Sequence, residues 1–215
     1  MKLIASPLFQ GITPEELDAL EQAGYLRRKT YQKREIIFHA GSTVHTVGVV
    51  LQGTVHIENI DLWGSKSILS SIGPGQAFAE TYAFCNEPLM VDAVAAEDCE
   101  VLLLNAAALN SSGAAPWRDK LLRNLLAVSM RKNLSLSQRI FCTTPKTIRG
   151  RLLTYLSAQA AKNGSMSFTV PFNRQQMADY LNLDRSALSK ELGRMQAEGL
   201  LEFEKNRFTL KQLPE

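Results

Sequence analysis

FNRQQMADYLNLDRSALSKELGRMQAEGLL, Phe172 to Leu201, reads as two short helices joined by a tight turn. Asn173 is placed to cap the first helix, and Gln176, three residues on, suits the return bond of a capping box. Met177, Ala178 and Leu181 share one helical face. The pattern breaks at Leu181-Asn182-Leu183-Asp184, where Asp184 is well placed to cap a second helix. Leu188, Leu192 and Met195 form the inward stripe of that helix, and Gly199 can end it in the left-handed conformation. With these positions buried, Arg185, Ser186, Ser189 and Lys190 are left facing out. The pairs Arg185/Ser189 and Ser186/Lys190 are each four residues apart, so the four side chains make one patch.

Two amphipathic helices packed at a corner are common, and alone they are compatible with a purely structural role. The residues that follow narrow the choice. Leu200-Leu201-Glu202-Phe203-Glu204 and Arg207-Phe208-Thr209-Leu210 are short alternating runs joined by Lys205-Asn206, a hairpin with a polar, basic tip. A helix-turn-helix followed by such a hairpin is a winged helix, which lays one helix in the major groove of DNA. Arg and Lys donate to guanine O6 and N7, and Ser bonds bases or phosphates. The expected readers are therefore Arg185, Ser186, Ser189 and Lys190. Arg174 and Gln175 at the first helix's N-terminus, with Lys205 on the wing, are expected to hold phosphate.

The chain has 215 residues, enough for two domains of ordinary size. Its hydrophobic and charged fractions are those of a soluble globular protein, and no run of about 18 apolar residues spans a membrane. The N-terminus is too briefly apolar for a secretory signal. Cys85, Cys99 and Cys142 are odd in number and far apart, which argues against a disulfide framework and for the reducing cytoplasm. The formal net charge is +3. From Pro145 onward about eleven Lys and Arg face seven Asp and Glu, so about +4 sits in the segment that would meet phosphate, leaving the rest near −1.

Ahead of the winged helix the texture changes twice. Pro14 to Leu20 predicts a short helix with Thr13 as N-cap, Pro14 in its first position and Glu16 completing a capping box. From Arg27 to Leu104, short β-rich runs are punctuated by glycine. These are Glu35–Phe38, Val47–Leu51, Thr54–Ile57, Ser67–Leu69 and Glu100–Leu104, with a turn at Asp61 to Gly64. Their spacing suggests a β-sandwich or barrel, with Gly41, Gly53 and Gly75 at turns. A helix over Pro116–Cys142 follows, about 40 Å long at 1.5 Å per residue. Leu121, Leu125, Val128 and, further on, Leu136 and Ile140 recur near heptad spacing, widened by Leu122 and Leu126. An apolar stripe longer than a small barrel predicts a homodimer, its seam on Leu121, Leu125, Val128 and Leu136. Thr143-Thr144-Pro145 then makes a hinge. Thr147 to Ala161 is a further helix, ended by Asn163-Gly164.

The order of these segments resembles the Crp/Fnr family of bacterial transcription regulators, over nearly the whole chain. The anchors are Gly41…Gly53…Gly75, the run GQAFAETYAF from Gly75 to Phe84, and the helix-turn-helix. The resemblance implies an α+β fold in three parts. Residues 1–115 form a double-stranded β-helix (jelly roll) of the cyclic-nucleotide-binding type, an effector domain. Residues 116–142 form the dimerisation helix, and residues 143–215 the winged helix-turn-helix. It also implies a homodimer on a two-fold-symmetric double-stranded DNA operator, engaging RNA polymerase if it activates, with no membrane partner.

Two departures matter. Cyclic-AMP receptors carry a Gly-Glu pair that holds the ribose and, about ten residues on, an Arg-Ser pair that holds the cyclic phosphate. Here the matching pairs are Ala79-Glu80 and Met90-Val91. A phosphate beside Met and Val lacks its charge-assisted bonds, an omission worth several kcal/mol, so cyclic AMP is disfavoured. The run around Phe78, Glu80, Thr81, Met90 and Val91 is left as a candidate pocket for a less anionic effector, or as a structural remnant. In the second departure, Ser186 stands where many members carry Glu, and Lys190 where Arg is frequent; Lys donates as a point charge, which points to a modified half-site.

No cysteine precedes Cys85, which argues against the N-terminal iron–sulfur cluster of some relatives. His39, His45 and His56 lie in no ligand motif and are either a source of a haem ligand, as in some relatives, or ordinary surface and strand histidines, and Cys85 adjoins the candidate pocket as either a thiol switch or an inert thiol. No cofactor is implied, and no nucleophile, base and orienting acid stand at a telling spacing, so an enzyme is not expected. The rival reading is a ligand-binding signalling module whose winged helix contacts protein.

Overall fold

The computed structural model describes residues 5–60, 66–110 and 115–211. It divides into two units, Met1–Arg131 and Lys132–Glu215.

The first unit is a roll of two four-stranded sheets. One has the order β1 (Leu26–Tyr31), β8 (Cys99–Asn105), β3 (Thr46–Gln52), β6 (Ala77–Phe78). The other runs β2 (Ile36–Phe38), β7 (Asp92–Ala95), β4 (Val55–Ile60), β5 (Lys66–Ile72). Every pairing is antiparallel. The period of two along β8 explains the layers. Val101 and Leu103 face the other sheet, packing with Tyr31, Val50, Val55, Ile72 and Phe78. Leu102 and Leu104 face the opposite way, onto Leu8, Leu17, Leu20, Trp117 and Leu121. The helices α1 (Pro14–Gln22) and α4 (Pro116–Thr143) therefore cover the outer face of the first sheet.

Local chemistry fixes the ends of these elements. Thr13 Oγ1 accepts from Glu16 N at 3.3 Å and Glu16 Oε2 from Thr13 N at 2.8 Å, the reciprocal capping box expected from the sequence. Gly53 has φ 82°, and a Cβ there would lie 2.6 Å from the Asp98 carbonyl oxygen, so both conformation and space demand glycine. The turn Asp61 to Gly64 lies outside the described residues.

The 28-residue helix α4 is as long as its pattern predicts, but its faces are distributed differently. Leu121 is wholly buried and Leu125 nearly so, both in the roll's own core, and Lys120 Nζ holds both Glu16 oxygens at 2.8 Å. The Asn124 amide donates to the carbonyls of Leu8 and Gln10. Leu121 and Leu125 are thus unavailable to a second copy, a correction to the expected seam, and Val128 is only half exposed. The exposed apolar positions are Leu122, Leu126, Met130, Leu134, Leu136, Ile140 and Phe141. Leu122, Leu126, Ser129, Asn133, Leu136 and Ile140 alternate steps of four and three, so the outward heptad runs one residue out of phase with Leu121 and Leu125.

In the second unit, α5 (Ile148–Asn163) is capped by Thr147 and ended by Gly164 at φ 60°. It packs with α6 (Arg174–Leu181), α7 (Arg185–Ala197) and a three-stranded sheet of order β10 (Leu201–Glu204), β11 (Arg207–Leu210), β9 (Ser167–Thr169). Leu152, Leu156, Met177, Leu181, Leu188, Leu192 and Met195 meet there as one buried cluster. Burial of each such side chain stabilises by about 1.5–3 kcal/mol.

Candidate nucleic-acid interface and effector region

The chemistry of α6 and α7 begins at their caps. The Asn173 side chain accepts from Gln176 N, and Gln176 Oε1 from Asn173 N, each at 2.9 Å. Asp184 Oδ1 accepts from Ala187 N at 2.8 Å and from the Ser186 hydroxyl. The Ser186 bond first, then the backbone bond, holds the Asp184 carboxyl below its ordinary range. Between the helices Asn182 takes the left-handed conformation at φ 53°.

The far end of α6 is held by arginine. Arg139, on α4, donates to the carbonyls of Tyr180 (3.0 Å) and Asp179 (2.9 Å). Arg151, on α5, donates to those of Leu181, Asn182 and Pro145. Two guanidinium groups thereby satisfy the carbonyls that a helix C-terminus leaves open. Arg149 fastens α7 through side-chain carboxylates instead, with Nε 2.6 Å from Glu191 and a two-pronged bond to Glu198 at 2.8 Å. These bonds push the Arg149 pKa up and the Glu198 pKa down.

With both helices fixed, Arg185, Ser186, Ser189 and Lys190 all lie exposed on the first turns of α7. Arg185 and Lys190 form no ion pair among the described residues, so their donors face outward. The two hydroxyl protons are spent within the helix, Ser186 on Asp184 and Ser189 on the Arg185 carbonyl at 2.9 Å. Both serines therefore present acceptor lone pairs. Gly193 shares this face, three residues beyond Lys190, and a Cβ there would meet nothing within 4 Å. Packing does not require a glycine at that point; it keeps the helix surface low where a nucleic acid would approach.

The expected phosphate contacts separate. Lys205, exposed at the wing tip with φ 51°, is free to face a phosphate. Gln175 is exposed and donates to Asp179 at 2.8 Å. Arg174 is half-buried: its guanidinium lies 4.9 Å from the Phe203 ring and 5.8 Å from the Phe208 ring, and donates to the Lys205 carbonyl at 3.2 Å. Burial lowers its pKa. Arg174, expected to stand free for phosphate, thus has its planar charge set against the wing, which it braces on α6. Sequence spacing gave no sign of the contact, because Phe203 lies far along the chain.

The effector candidates also divide. Phe78 is buried, its ring 5.6 Å from Phe38 and tight against Gly48, so it belongs to the roll's core and not to a pocket wall. Glu80 is buried at the start of α2 (Glu80–Cys85), Thr81 and Met90 are exposed, and Val91 is half-buried. Ala79, the N-cap of α2, has φ 62°, a conformation that suits the glycine found there in cyclic-AMP receptors. Among the described residues no three His, Cys, Asp or Glu side chains gather as a metal ion would need.

Two family models match the chain, a cyclic nucleotide-binding domain over residues 28–112 and a Crp-like helix-turn-helix domain over residues 150–215. Together they take in well over half of it. The chain belongs to the Crp/Fnr family of transcription regulators. Within that family, the cyclic AMP receptor protein of Thermus thermophilus is 34% identical over 99 residues, 46% of this chain. That alignment spans 45% of the Thermus protein's own length, less than half of it. A CRP-like cAMP-activated global transcriptional regulator of Mycobacterium tuberculosis is 22% identical over 205 residues, 94% of this chain and 91% of that one. Among solved structures, the Thermus thermophilus catabolite activator protein is 26% identical, covering 96% of this chain and 94% of that one, with a TM-score of 0.50. No helix among the described residues of this Crp/Fnr-family chain is long and apolar enough to cross a membrane.

Proposed function

We propose that this Crp/Fnr-family chain is a cytoplasmic, homodimeric, sequence-specific regulator of transcription, not an enzyme, that answers to an effector other than cyclic AMP. The observation that carries the DNA-reading part is a pair of cations without an ion-pair partner among the described residues, Arg185 and Lys190, on the exposed first turns of a helix whose every cap and end is fixed. Lys205 on the wing supplies phosphate contact, and the outward heptad of α4 supplies the face for a second copy. Two copies related by a two-fold axis read a two-fold-symmetric operator. RNA polymerase is the further partner if the regulator activates.

The effector reading rests on Met90 and Val91. Met90 is 78% exposed and apolar where a cyclic phosphate would need a cation.

Operator selection from fragmented genomic DNA, followed by titration of Arg185→Ala, tests the reading. Loss of about 1–3 kcal/mol confined to one base pair of each half-site is expected. Lys205→Ala should weaken all sequences alike and flatten the salt dependence. Absence of any enriched two-fold-symmetric site would favour the protein-contact module instead.

A further inference from the structure

A cleft of about 530 Å³ opens on the side of α2, lined by Tyr25, His45, Phe84, Asn86, Asn105 and Ala107. None of the effector residues expected from the sequence lines it. Two aromatic rings, two amides and an imidazole converge, and no Lys, Arg, Asp or Glu is among the lining residues. A charged ligand would find no carboxylate, ammonium or guanidinium partner there, whereas a flat, uncharged ring with hydrogen-bonding edges finds both stacking faces and partners. Phe84 keeps 37% of its surface exposed, so part of its ring is open to a ligand in the cleft.

The surroundings make the cleft suited to signalling. Tyr25, on its wall, meets the ring of Trp117 at 6.1 Å, and Trp117 lies in the first turn of α4. Ala107 opens the short helix α3 (Ala107–Asn110), where the Ala108 carbonyl accepts from Arg118 of α4 at 3.4 Å. The short helix α2 is bounded by two non-glycine residues in the left-handed conformation, Ala79 at φ 62° and Asn86 at φ 56°. Asparagine tolerates that conformation at a helix end, whereas alanine at Ala79 is held there by the surrounding fold.

We infer that this cleft is an effector site for an uncharged heteroaromatic molecule bearing amide or amine edges, coupled through Tyr25 and Trp117 to the base of α4. The coupling rests on the regulator reading; binding itself does not, so the two are measured apart.

The chain has two tryptophans, so Trp63→Phe leaves Trp117 as a single reporter. Nicotinamide and adenine are titrated into this protein without DNA, with nicotinate as the anionic isostere of nicotinamide. A saturable change in Trp117 emission is expected, with nicotinate about tenfold weaker because no ammonium or guanidinium lines the cleft. Ala107→Phe, which fills the cleft, should abolish the response. Asn86→Gly, which suits φ 56°, should weaken binding with the melting temperature held or raised. No saturable response to either probe, or a response that survives Ala107→Phe, overturns the site. Saturation that leaves affinity for a selected operator unchanged overturns the coupling, whereas failure to select any operator refutes the regulator reading and leaves the cleft standing.

Discussion

Leu125 and Leu126 are neighbours on α4 with opposite expected fates. Leu125 is 8% exposed and sits in the roll's core, whereas Leu126 is 58% exposed on the outward heptad. Full burial of a leucine is worth about 1.5–3 kcal/mol, and more than half of Leu126 remains to be covered, so closing a partner over it gains about 1–1.5 kcal/mol per copy. Both copies contribute in a symmetric dimer. Leu126→Ala should therefore weaken dimerisation by about 2–3 kcal/mol, a 30- to 150-fold rise in the dissociation constant. Folding of the protomer should hardly change. Leu125→Ala instead leaves a core cavity and should cost about 2–5 kcal/mol of protomer stability. Sedimentation equilibrium across a dilution series reads the first effect, and urea denaturation of the dilute protomer reads the second. Equal dimer constants for Leu126→Ala and the parent chain would refute the seam, and a Leu125→Ala variant that lost dimerisation but kept its stability would restore the register in which Leu125 faces the partner.

Three further outcomes follow from the second unit. Gly193→Ala should stabilise it by about 0.5–1 kcal/mol in urea, because a Cβ there meets open space, yet weaken operator binding; unaltered operator affinity would remove Gly193 from the interface. Arg174→Lys should cost about 1 kcal/mol of stability and raise amide exchange in the wing while leaving the salt slope of DNA binding alone; a slope reduced by one phosphate would return Arg174 to the contact set. Arg149, the largest influence on Glu198, holds its carboxyl below the ordinary 4.5, so the stability this gives is present above that pH and lost as pH falls through the lowered value; Glu198→Gln should flatten the acid limb, and an unchanged acid titration would show that the contact is energetically idle.

How much of this was legible in the sequence depended on how local the cause was. Thr13, Asn173 and Asp184 act within three residues, and each caps as its spacing implies. The strand β1 escaped because four of its six residues are exposed in a row, so the edge position erased the alternation that marks a half-buried strand. The strands β6 and β9 are two and three residues long and carry no period at all. On α4 the leucines come in adjacent pairs, 121 with 122 and 125 with 126. Which of each pair turns inward is decided by the sheet beneath, and no count along one helix contains that information. The setting of Arg174 is hidden for the same reason: a cation at a helix N-terminus looks free until Phe203 and Phe208 are brought beneath it. The cleft beside α2 draws on residues from Tyr25 to Ala107, and only the folded roll assembles them.

The three thiols also divide the chain in a way that serves experiment. Cys99 and Cys142 are buried, and burial pushes both thiols up in pKa, so neither presents a thiolate to solvent. Cys85 alone is exposed, at the last position of α2. A maleimide spin label should attach there without any cysteine being removed. In a two-fold assembly it would give one distance between two identical points on the first units, to be compared with and without an added ligand in the unmutated protein.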